Sequence, residues 1–442
     1  MKPNIGDIYC VYVERISQFT ACQVTMLKDT DSGKKSQLAA ILELDWTGDK
    51  LPDEAELLNM KPLVCDFYFW NDKLDHCLVD ANVPPHYILV GNLPPLVTEE
   101  TNSYSGWHIG GSTRRQRRWS LIDEDRRQRF KEAAKDNSLI EMGQGNKSLS
   151  TNKVDDDFLQ SLEDLFELEK LPCLTQIHAN GPYESLLPFV ISNPIINQLH
   201  LTNHGYASVD VRESNLETLI IDAEGLGELF LNEGLAELSF VGVLSPDLII
   251  HAHNEGSWIT ANCSSNAPIS CGLNRLRCLH LRSVTELDLQ PIVQSFPELR
   301  ELRIWGKPGT VSNIHSLEKL ARLQGFSTYD MFGFAGNQFP GPDQMSNLSW
   351  LWMTSLPAEA AQFIKANYKK EVVKGLDLSI SKPRKPEWLA ENVSNPFRDW
   401  DGRDNITPAN AKKAVQLYKK MIASIHTMEE QRKEGIEVVN GC

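Results

Sequence analysis

The sequence predicts an α+β multidomain chain: a β-rich, barrel-like domain at the N-terminus, an irregular solenoid of short repeats, and a C-terminal helical cap. Three observations carry this. A phrase of the form apolar-x-x-apolar-x-apolar returns about every 20 to 25 residues through the middle of the chain. The first hundred or so residues are broken into short β-branched and aromatic runs separated by turn chemistry. Near the end, TPANAKKAVQLYKKMIASI (407–425) places Thr407 as N-cap and Pro408 at the first helical position. Ala411, Val415, Tyr418, Ile422 and Ile425 then share one side. At 442 residues the chain exceeds one compact core of ordinary size.

Residues 1–105 form the predicted barrel-like domain. Its strands are IYCVYV (8–13), FTACQVTML (19–27), LAAILELDW (38–46), LVCDFYFW (63–70) and HYILVGNL (86–93), with turns at DTDSGK (29–34) and VPP (83–85). From 106 to 153 a basic and polar connecting segment follows, containing RRQRRW (114–119) and the linker-like GQGNKSLSTNK. DDDFLQSLEDLFELEKLP (155–172) has apolar residues at helical spacing behind an Asp-rich start, which predicts a short acidic amphipathic helix.

The solenoid spans 154–380. Good copies of the phrase begin at Ile196, Leu216, Leu235, Leu276, Leu299, Leu348 and Val373, with weaker ones at Leu174 and Leu323. The gap from 235 to 276 is about two periods. On these phrases, residues 171–380 resemble the leucine-rich repeat family, although the Asn or Cys usual after each strand phrase varies here. The resemblance implies a divergent array of coils. Extra phrases at Leu226 and Val284, half a period out, predict a second short strand on the return side of those coils. Residues 381–442 make the cap: PAEAAQFIKANYKK (357–370) still belongs to the last coils, then comes a Pro- and Trp-bearing wrap (381–405), then the terminal helix, covering the open end of the array.

Composition and motifs narrow the chemistry. The formal charge of −15 repels phosphates at long range, disfavours nucleic acid, and steers a basic partner toward the chain. Mean hydropathy is −0.32 and no apolar run approaches the length of a membrane span, so no membrane association is expected. The opening lacks the pattern of a secretory signal, and nine scattered cysteines without a C-x-x-C pair read as reduced thiols; both point to the cytoplasm. There is no phosphate loop, nucleophile elbow or H-E-x-x-H helix, so no catalytic residue and no cofactor is assigned, and the chain is read as a non-enzyme. His251, His253, Cys263, Cys271, Cys278 and His280 have zinc-binding side chains, but their spacings match no finger or ribbon. Core thiols and loop imidazoles are the favoured reading, with no metal.

The solenoid's sheet face carries the most functional information. Once the leucines of each phrase point inward, their neighbours point out. That face offers His280, Arg282, Glu301, Arg303, Trp305, Trp350 and Trp352, with Glu237, Asp377 and Ser379 also in the row. Tryptophan with arginine is the make-up of an interface hot spot, so these seven are the candidate partner-binding residues. The competing reading has Trp388, Phe397 and Trp400 of the C-terminal wrap packing over the tryptophans. Arg114, Arg115, Arg117 and Arg118 of the basic run are a second candidate contact; interleaved Asp123, Glu124 and Asp125 argue against RNA and for a solvated helix or linker.

One further resemblance bears on the partner. GDIYCVYVERISQFTACQVTML (6–27), with Gly-Asp-Ile before an apolar strand and Gln23-Val24 in the next, resembles small β-barrel immunity proteins of bacterial polymorphic toxin systems. That resemblance implies a cytoplasmic antidote that binds one cognate, basic toxin domain and occludes its active site. The alternative is a leucine-rich-repeat adaptor or scaffold for a cytoplasmic enzyme complex.

Overall fold

The computed structural model describes residues 2–29, 37–264, 267, 269, 271–385, 395–397, 400, 403 and 405–440. The turn expected over 29–34 lies almost wholly outside the described residues, as does Trp388. The chain divides into two compact units: Met1–Ala179 with Glu184–Leu199, and Asn180–Tyr183 with His200–Cys442.

In the first unit, five antiparallel strands lie in the order His76–Asp80, Gln37–Gly48, Gln18–Asp29, Asp7–Val13 and Ile88–Asn92. The expected barrel is corrected: the sheet is open and its outermost strands do not pair with each other. The reason is that both of its faces are apolar. Tyr9, Val11, Val24 and Ile41 form one buried cluster with Tyr87, Trp107 and Ile109 against them. Ile8, Cys10, Leu42 and Leu44 form another, against Met60, Leu57, Leu74 and Leu93. Connecting segments thus cover each side, and no closed interior is needed.

The 106–153 segment, expected to be a polar connection, carries regular structure: helices Gly111–Ser120 and Glu124–Ala133, then a hairpin of Leu139–Met142 with Gly145–Ser148. Trp119 and Phe130, both buried, meet edge to face at 5.4 Å and anchor the two helices to Leu63, Phe67, Cys173 and Ile195. The amphipathic helix expected over 155–172 is two short pieces, Asp156–Gln160 and a 3-10 turn Leu165–Lys170. The Asp164 side chain accepts from Phe166 N at 2.9 Å, capping a fresh turn where the first would have continued.

The second unit is built on parallel strands, neighbours in the order Thr218–Asp222, Glu237–Val241, Thr260–Cys263, Cys278–Asp288, Glu301–Ser312, Gly325–Phe332, Trp350–Thr354 and Asp377–Ser381. The phrases from Leu216 onward seed these strands, and those at Leu174 and Ile196 give Gln176–Asn180 and Gln198–Thr202. Alternate residues point inward and are buried: Leu219 and Ile221, Leu238 and Phe240, Leu279 and Leu281, Leu302 and Ile304, Leu351 and Met353. Each such side chain contributes about 1.5–3 kcal/mol by leaving water. The missing copy between 235 and 276 is Thr260–Cys263, whose inward residues are Ala261 and Cys263 instead of leucines.

The return-side strand expected at Leu226 is present as Glu228–Phe230, between Ser208–Asp210 and Ile249–His251 in a small parallel sheet. The one expected at Val284 is not separate. There the main strand runs on past a register shift, Val284 pairing with Gly306 and Leu287 with Val311. Ala358–Lys374 is a helix ending at Gly375, whose φ of 115° suits glycine. The terminal helix is Pro408–Asn440, and Asn410 N donates to Thr407 Oγ1 at 3.3 Å, the expected cap. Among the described residues no helix is long and apolar enough to cross a membrane.

Candidate functional site

Register, not sequence proximity, assembles the sheet face of the second unit. The pairings Asn262 with His280, His280 with Arg303, Arg303 with Ser327, Ser327 with Trp352 and Trp352 with Ser379 set these residues side by side in one row. In the adjoining row Glu301, Gly325, Trp350 and Asp377 follow one another. Five of the seven residues expected on this face lie in these two rows, and Arg282 and Trp305 join them through the contact of Trp305 with His280.

A continuous chain of contacts runs across it. Asn262 Nδ2 donates to Glu237 at 3.0 Å, which turns Asn262 Oδ1 toward His280 Nδ1, also at 3.0 Å. His280 Nε2 meets Glu301 Oε1 at 2.7 Å, so both ring nitrogens are engaged. Arg303 Nε donates to the same Glu301 oxygen at 2.7 Å. The Arg303 guanidinium lies 4.8 Å from the Trp350 ring centroid and 5.7 Å from that of Trp352; the two indoles are 4.7 Å apart. Trp352 Nε1 donates to Asp377 at 2.9 Å. Alongside, Arg282 stacks over Trp305 at 4.9 Å, and His280 meets that indole edge to face.

The ionised state of Glu301 follows from this geometry. Burial pushes its carboxyl pKa up, but the hydrogen bonds and charges of His280 and Arg303 outweigh burial and hold it below the usual carboxylate range. The aromatic part stays open to solvent. Trp350 and Trp305 are half-buried, and Trp352 is 38% exposed, as is neighbouring Tyr329 at 39%. Of the wrap residues read as a cover, Phe397 and Trp400 pack on each other at 4.9 Å, and Phe397 on Tyr418 of the terminal helix at 6.2 Å.

The other candidate set belongs to the first unit. Arg114, Arg115, Arg117 and Arg118 sit on the helix Gly111–Ser120, which is held at its start from outside. Glu43, buried in the sheet, accepts from Thr113 N at 2.9 Å and from Thr113 Oγ1 at 2.5 Å. Arg117 is committed within the unit, donating to Gln18 at 2.9 Å and to Thr47. Arg115 is exposed, while Arg114 and Arg118 are half-buried.

The histidines and cysteines weighed as metal ligands are dispersed. His251 stacks on Phe230 at 4.2 Å and His253 on Trp258 at 5.0 Å, while Cys263 and Cys271 are core thiols. Burial pushes the Cys271 and Cys278 thiols up to about 11. Among the described residues no three His, Cys, Asp or Glu side chains are grouped to hold a metal ion.

No family model and no curated protein matches the chain. Among solved structures, internalin C2 from Listeria monocytogenes is similar, at 19% identity over 42% of this chain and 74% of that one, with a TM-score of 0.21. A likeness that slight carries no argument, and the repeat architecture stands on the parallel strands described above. These comparisons give the N-terminal resemblance to immunity proteins no support.

Proposed function

We propose that the protein is a non-catalytic binding protein that holds a protein partner against the sheet face of its second unit. The observation that carries the reading is the cluster Arg303–Trp350–Trp352 beside Arg282–Trp305: two stacked cation–aromatic groups on a solvated face, a combination costly to leave in water and typical of interface hot spots. The side chains beneath are fixed by the His280–Glu301–Arg303 contacts, so little rotamer freedom remains to be lost on binding.

The finer reading is an immunity protein that binds a cognate toxin domain and occludes its active site. It draws on the sequence resemblance over 6–27, and complementary steering of a basic toxin by the charge of −15 agrees with it. Toxin domains encoded beside its gene, purified and titrated against the full chain, test this. One-to-one binding that is lost on replacing Trp350 and Trp352 by Ala supports it. Binding by none of them overturns the immunity reading, and capture of several housekeeping proteins through the same face favours the adaptor.

A further inference from the structure

We infer that the sheet face recognises an acidic, extended peptide segment of its partner, in which an Asp or Glu carboxylate bridges Arg282 and Arg303 and an adjacent apolar side chain rests on Trp352. The inference rests on the binding reading above and names the chemistry of the occupant.

Three observations carry it. First, the anions of this face are occupied while its two arginines keep donors in reserve. Glu301 accepts from His280 and Arg303, Asp377 from Trp352, and Glu237 from Asn262. Among the described residues, the terminal nitrogens of Arg303 have no hydrogen-bond partner, and Arg282 has only its stack on Trp305. What the face presents outward is therefore hydrogen-bond donation. Second, a guanidinium over an indole can still donate from its rim, and the terminal N–H groups that Arg303 does not spend on Glu301 match the two oxygens of a carboxylate. Arg303 and Trp305 lie two apart on one strand and Arg282 stacks on that same indole, so the two forks are diagonal neighbours. Third, the exposed indole of Trp352 lies beyond Arg303 in the same row, so an extended strand crossing the face passes from cation to aromatic surface.

The local charge thus departs from the basic partner expected from the net charge. A polyphosphate chain is the less suitable anion. Glu237 and Asp377 flank the cluster on either side, and the charge of −15 opposes a continuous polyanion, whereas a single carboxylate is tolerated between them.

The test is selection of a displayed random dodecapeptide library on the full chain, with the same library selected on Arg282→Gln, Arg303→Gln and Trp352→Ala variants whose thermal melts match the parent. The expected result is enrichment of sequences pairing Asp or Glu with Leu, Phe or Trp. For the best synthetic peptide, each Arg→Gln change, or Asp→Asn within the peptide, weakens binding roughly tenfold. Arg303→Lys, which keeps the charge but loses the fork, recovers only part of it. Enrichment of basic peptides overturns the inference, as does binding indifferent to both arginines, or binding of a dT15 oligonucleotide in preference to any peptide. Peptides lost with Trp352→Ala but retained by both arginine variants leave the binding face standing and refute the acidic occupant. Absence of enrichment on the parent chain refutes the acidic occupant, and peptides retained by all three variants refute the face as well.

Discussion

Arg303 and Trp350 come from coils two apart, 47 positions apart in sequence, yet the guanidinium of one lies 4.8 Å from the ring centroid of the other. Gly325, on the strand between them, makes the approach possible: a Cβ there would fall 2.0 Å from Trp350 Cε2 and Cζ2. The indole therefore lies across the glycine, where any side chain would displace it.

From this follows the expected behaviour of Gly325→Ala. The indole must rotate away, breaking its stack with Arg303, while the strand keeps its hydrogen bonds. Near-ultraviolet circular dichroism should change, partner affinity should fall, and the urea midpoint should move little. An unaltered aromatic spectrum with full affinity would contradict the geometry.

Trp352→Ala separates binding from stability. The side chain is 38% exposed and fills no core position, so the expected stability change is below about 1 kcal/mol. Partner binding should weaken by about 2 kcal/mol or more. Calorimetric titration beside a thermal melt reads both.

Leu302, one residue before Arg303, shows the opposite balance. It is fully buried, and Leu302→Ala should cost about 2–5 kcal/mol of stability. Where the variant remains folded, its affinity for the partner should stay close to the parent's, since Leu302 faces inward. Urea unfolding followed by far-ultraviolet circular dichroism measures the loss.

Glu301 makes acid stability testable. Its folded carboxyl lies below the ordinary value of 4.5, so across that interval the unfolded chain binds the extra proton and stability rises with pH. The contribution is complete above the unfolded value and is lost as pH falls through the folded one. Urea midpoints from about pH 6 down to about pH 3 should drop more steeply for the parent than for Glu301→Gln. Parallel curves would show that Glu301 gains nothing from His280 and Arg303.

Much of the solenoid was legible because leucine is large and inward positions demand volume: every phrase from Leu216 to Leu348 marks a strand. Thr260–Cys263 escaped because Ala261 and Cys263 fill the same positions with less side chain. Alternation also gave the outward residues, so all seven members of the face were legible one by one. Their pairing was not: that His280 meets Glu301 depends on strand register, which no local pattern encodes. The role of Asn262 was hidden with its strand. In the first unit, strands were legible but closure was not. Alternating apolar residues suit a barrel interior or a sheet covered on both sides, and the deciding contacts come from Met60, Tyr87 and Trp107 in connecting segments. For 111–120 a helix or linker was legible, but its anchoring was not, since the residue that holds its start, Glu43, lies 70 positions before Thr113.

The measurement that bears most directly on the central claim is a paired affinity capture from the source cell. The full chain and its Trp350→Ala/Trp352→Ala variant serve as matched baits, both verified as folded, with bound proteins quantified by mass spectrometry. One stoichiometric partner is expected on the parent chain, depleted at least about tenfold on the variant. The same partner retained equally by both baits would contradict the central claim and move the interface off the sheet face.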